Sequence, residues 1–120
     1  MIQIPVSLGE LFDKITILEI KKENGLDVEK ELDLLSDISK EVGESIILTY
    51  LKEQLLLINK QLWETENSKR ECESLKKFDK TFVDLARVVY IVNDQRAAIK
   101  RLINQITNSE IVEYKQHSKY

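Results

Sequence analysis

The chain has 120 residues, 42% hydrophobic and 32% charged, with a net charge of −3. That length suits one domain, residues 1–120, and excludes two independent cores, while the composition excludes a disordered chain. Three glycines and one proline are too few to turn a many-stranded sheet, so the expected class is all-α.

Residues 1–6 alternate weakly around Pro5 and read as an extended lead-in. Ser7-Leu8-Gly9-Glu10 has the form of a capping box, with Glu10 reaching back to the Ser7 amide. The first helix should run from about Leu8 to Glu23, with Leu8, Leu11, Phe12, Ile15 and Leu18 on one stripe and Ile17 and Ile20 off it. Asn24-Gly25 supplies its left-handed stop. Asp27 can cap a second helix over about Val28 to Val42, turned inward at Leu32, Leu35 and Ile38 and broken by Gly43.

A third, longer helix is expected from about Glu44 to Cys72. Leu48, Leu51, Leu55, Ile58 and Leu62 keep a 3–4 spacing, and Leu56, Leu57 and Trp63 widen the face. Beyond Leu62 the stripe turns polar at Thr65 and Lys69, which predicts a frayed or exposed end. The fourth helix, about Asp79 to Ile106, carries the clearest pattern. Leu75, Phe82, Val89, Arg96 and Ile103 lie seven apart, with Phe78, Leu85, Val92, Ile99 and Ile106 in the companion positions. Such a seam is built for a helical bundle. The predicted architecture is an antiparallel bundle of about four helices, the third and fourth long. The tail from residue 107 to 120 should be loosely ordered, with a capping arrangement at Thr107–Glu110 and a helical turn over Ile111–Lys115.

Arg96 stands out because the other nine seam positions are apolar. A guanidinium there needs a partner, either a structural carboxylate or an anionic ligand. Asn93 and Lys100 share its face, and Asp94 and Arg101 share another with Arg87 and Tyr90. Glu10, Asp13 and Lys14 form a second polar cluster on the first helix, with Glu10 and Asp13 as candidate partners of Arg96. Ligand-binding candidates are therefore Glu10, Asp13, Lys14, Asn93, Asp94, Arg96, Lys100 and Arg101. Glu10 and Asp13 have the E-x-x-D form of Mg²⁺-binding all-α pyrophosphatases, but Glu41 and Glu44 follow them rather than precede them, so no metal site is expected. The sole histidine, His117, excludes a di-iron bundle, and the sole cysteine, Cys72, excludes a disulfide or cysteine zinc site within the chain. No cofactor is indicated.

Charge is uneven. Residues 1–44 hold eleven acids and five bases, whereas residues 69–101 hold nine bases and five acids. The contrast reads first as solvated helix faces, and second as opposed charge that would assist intramolecular docking or an antiparallel dimer. An acidic chain without a dense basic stripe predicts no nucleic-acid partner. No apolar run nears the ~20 residues of a membrane span, and Met1–Glu10 lacks the form of a signal peptide, so the expected setting is cytoplasmic with no membrane partner. The off-stripe Ile17, Ile20, Leu56, Leu57 and Trp63 point to a homo-oligomer or to a protein partner such as a larger enzyme.

Three segments resemble a family of uncharacterised small bacterial and phage proteins: Gly9 to Lys21, Leu85 to Arg101, and Ser109 to Glu113. Its members read G-E-L and D-K-x-T-I-L-x-I-K near the start and N-D-x-R-A-x-I-K-R-x-I-N near the end. The matching polar positions include Glu110 and Glu113 beside the candidates above, while Tyr114 departs from the family's more charged tail. The resemblance implies no assigned activity. It does imply a place among proteins encoded with cell-surface polysaccharide genes, and hence a second reading as a binder or enzyme of an anionic, sugar-linked substrate.

Overall fold

The computed structural model describes residues 1–109. Four α-helices follow in order: α1 (Leu8–Glu23), α2 (Glu29–Ser39), α3 (Ile46–Ser74) and α4 (Lys80–Ile106), with a 3-10 turn, Lys40–Val42, after α2. The all-α bundle with long third and fourth helices is as predicted. The helix starts are fixed locally. Ser7 Oγ accepts from the Glu10 amide, Ser45 Oγ from the Leu48 amide, and Asp79 Oδ1 from the Thr81 amide. Asn24 closes α1, and Gly25 follows at φ +82°.

Several boundaries differ from expectation. Asp27 is not the cap of α2; Val28 holds that place without a side-chain bond. The last residues assigned to α2 tighten into the 3-10 turn before Gly43 turns at φ +78°. Helix α3 starts at Ile46 rather than Glu44 because Ser45 supplies the capping oxygen, and it continues to Ser74. Thr65 is buried rather than frayed, its hydroxyl donating to the Gln61 carbonyl.

Helices α3 and α4 form a long antiparallel hairpin, each about 40 Å in length at ~1.5 Å per residue. Helix α1 packs on both, at the end where α3 begins and α4 finishes, and α2 packs back on α1. The core gathers Leu11, Phe12, Ile15 and Leu18 of α1, Leu32 of α2, Leu48, Leu51 and Leu55 of α3, and Ile103 of α4. Ile20, read as off-stripe, is also buried within the chain, whereas Ile38, read as inward, is exposed.

With ~16 residues, α1 is only about 24 Å long and cannot cover a 40 Å hairpin. The consequence is visible along the seam. Val92 and Ile103 are buried and Phe82, Leu85 and Val89 half-buried, whereas Leu75 and Phe78, read from the spacing as seam residues, fall in the turn before α4 and are more than half exposed. Thr107 to Ser109 close α4, and the rest of the expected tail lies outside the described residues. The Ser109 amide bonds the Asn104 carbonyl, and Ser109 Oγ accepts from the Leu8 amide at 3.2 Å. The expected turn over Ile111–Lys115 lies outside the described residues. No helix among the described residues is long and apolar enough to cross a membrane.

Candidate functional site

The first turns of α1 meet the last turns of α4 at unusually short range. The Gly9 amide donates to Asn104 Oδ1 at 2.7 Å, and a methyl on Gly9 would come within 2.5 Å of the Lys100 carbonyl oxygen. Only a residue without a side chain fits there. This close approach brings the next turn of α1 against Lys100 and Arg96, one and two turns back along α4.

Asp13 lies at the centre and is fully buried. Arg96 grips it with two donors, Nε to Oδ1 at 2.9 Å and Nη2 to Oδ2. Asn59 of α3 donates to the same Oδ1 at 2.9 Å and to Thr16 Oγ1 at 2.8 Å. Lys100, itself buried, bonds Glu10 at 2.7 Å and lies 4.0 Å from Asp13 Oδ2. Burial pushes the Asp13 carboxyl up, but the hydrogen bonds from Arg96 and Asn59 and the charges of Arg96 and Lys100 outweigh it. The carboxyl is held below its ordinary value. Asp13 is thus a buried carboxylate tied to all the helices that surround it, α1, α3 and α4.

Of the eight predicted site residues, Glu10, Asp13, Arg96 and Lys100 meet directly, and Asn93 joins through Arg96 Nη1 at 3.4 Å. Lys14 and Arg101 are exposed outside the cluster, and Asp94 is half-buried on the helix turn beside it. Glu10 sends Oε2 to Lys100 across the interface, where the capping box had it reaching back along its own helix. Glu110 and Glu113 lie outside the described residues. Two participants were not anticipated. Asn59 falls four residues after Leu55 and three before Leu62, so a polar residue on the α3 stripe was its available signal. Asn104 follows the seam residue Ile103 and gave none.

The arrangement satisfies itself. No buried side-chain nitrogen or oxygen among the described residues lacks a partner. The same residues include no group of three or more His, Cys, Asp or Glu side chains placed to hold a metal ion. The cluster's chemistry is charge pairing across a helix junction, with the outer edge of Glu10 and Arg96 reaching solvent.

A second feature is a groove of about 170 Å³ between α1 and α3, lined by Phe12, Ile15, Glu19, Lys52 and Leu56. The Lys52 ammonium sits 5.0 Å over the Phe12 ring. Burial pushes the Glu19 carboxyl up, and although Lys52 and Lys60 pull the other way, the net direction is upward. The third feature is the uncovered end of the hairpin, where Leu75, Phe78 and Val83 are exposed and Trp63 is half-buried.

No curated protein and no solved structure matches the chain. A family model matches residues 2–119, nearly the full length. On that match the chain belongs to the family of unknown function DUF6165.

Proposed function

We propose that the protein is a helical association module that works by docking the far half of its α3–α4 hairpin onto another protein. One observation carries this reading: the α4 heptad seam continues past the end of α1 over Val89, Leu85 and Phe82, and Leu75 and Phe78 of the α3–α4 turn stand exposed beyond it, with no third helix among the described residues covering them. Heptad apolar positions that stay half-open in the lone chain are what a partner helix buries. The polar cluster supports the same reading over ligand binding, because its carboxylates and cations are already spent on one another. Its role is to hold α1 at one end of the hairpin and so leave the other end open. The sequence resemblance suggests a setting beside enzymes of cell-surface polysaccharide assembly.

The test is a photo-cross-linking residue placed at Phe82 in the living source cell, with a control at exposed Lys14. A discrete adduct from position 82, absent from the control, is expected. No adduct from position 82 would refute the association reading.

A further inference from the structure

The open hairpin tip has a counterpart on the chain itself. Residues 27–44, comprising α2 and its flanks, hold seven acids and two bases, a net −5. They also carry exposed apolar residues, with Leu34 and Ile38 each more than 40% exposed. The tip, residues 69–80, holds five bases and three acids, a net +2, around the exposed Leu75 and Phe78. The two surfaces match in both respects, apolar against apolar and acidic against basic.

They lie at opposite ends of the same molecule, so they cannot meet within one chain. Helix α2 packs on α1, which sits where α3 begins and α4 finishes, whereas the tip is the far end of the hairpin. From this we infer that the partner is a second copy of the chain, arranged antiparallel, with each copy's α2 seated on the other's hairpin tip. A two-fold axis across the hairpin makes the contact twice, and both contacts have the favourable sign. A parallel pair would instead oppose tip to tip, basic against basic, and α2 to α2, acidic against acidic. Charge therefore selects the antiparallel arrangement as well as the partner.

This inference rests on the association reading but fails separately from it. Light scattering on a size-exclusion column should give about 28 kDa, twice the 14.0 kDa chain. Lys76→Glu/Lys77→Glu, which makes the tip −2, and Asp33→Lys/Asp37→Lys/Glu41→Lys, which makes residues 27–44 +1, should each reduce the protein to monomer. Mixing the two variants should restore the dimer, because both contacts of the mixed pair regain opposite charge. Restoration also shows that both variants fold. A spin label on Cys72, the sole cysteine, should report inter-label distances on the order of 40 Å, the length of the hairpin. A monomer at micromolar concentration overturns the second-copy inference, as does a dimer whose labels lie within about 20 Å, half the hairpin length. Failure of the mixed variants to reassociate also overturns it. In any of these cases an adduct to a different protein from position 82 would leave the association reading standing, whereas no adduct removes both.

Discussion

Replacing Gly9 by alanine sets two effects of opposite sign against each other. Helix propensity alone favours the change, since Ala in a helix is about 1 kcal/mol better than Gly. The packing opposes it. The new methyl would lie 2.5 Å from the Lys100 carbonyl oxygen and 3.0 Å from Asn104 Oδ1. Heavy atoms settle nearer ~3.5 Å, so α1 must withdraw by about 1 Å, and the nearer atom is backbone that cannot rotate aside. Overpacking of this kind costs about 1–3 kcal/mol. The withdrawal also stretches the Gly9–Asn104 hydrogen bond, worth about 0.5–1.5 kcal/mol. The expected net is a loss of about 1–3 kcal/mol, read by urea denaturation. A double-mutant cycle with Asn104→Ala should show coupling, the second change costing less once Gly9 is replaced. A gain in stability on Gly9→Ala would refute the close approach and the register it sets for Asp13 and Arg96.

Arg96→Met should cost about 3–5 kcal/mol by stranding the buried Asp13 carboxylate, and Asp13→Asn in the same chain should recover much of it; urea denaturation showing no loss in the single variant would contradict a structural pair. Because the folded Asp13 carboxyl is held below its ordinary value of 3.8, its contribution is complete above that value and is lost as pH falls through the lower folded value. Thermal melts across that acid range should show a steeper decline for the native chain than for Asp13→Asn. Glu19 has the opposite sign: its raised value means stability is lost as pH rises from its ordinary 4.5 through the folded value. Glu19→Gln should therefore raise the melting temperature at neutral pH, and a fall would show that Lys52 and Lys60 outweigh burial.

The sequence exposed the fold because its helical signals agree at every level. The α3 stripe, the α4 heptads and the Ser7 cap each point to helices in the places found. Arg96 was legible as an anomaly, since a charge on an apolar seam demands a partner, and the acids one helix away were the available ones. What one stripe does not reveal is how much of its length a neighbour covers. Leu85 and Val92 occupy equivalent seam positions on α4, yet one is half-buried and the other buried, because burial depends on the length of α1. Gly9 and Asn104 were illegible for a related reason: a close helix approach is a relation between elements, written in neither one. Lys14 was grouped with Glu10 and Asp13 by proximity in sequence, but a lysine one residue beyond Asp13 points about 100° away around the helix and is exposed.

The central claim, that a second copy of the chain covers the open half of the hairpin, is tested most directly by hydrogen exchange of the purified chain at high concentration and after dilution. The account predicts that dilution speeds exchange in residues 63–86 and in α2, while amides of α1 and of α3 around Leu55 keep their protection. Unchanged exchange of residues 63–86 at every concentration would contradict it.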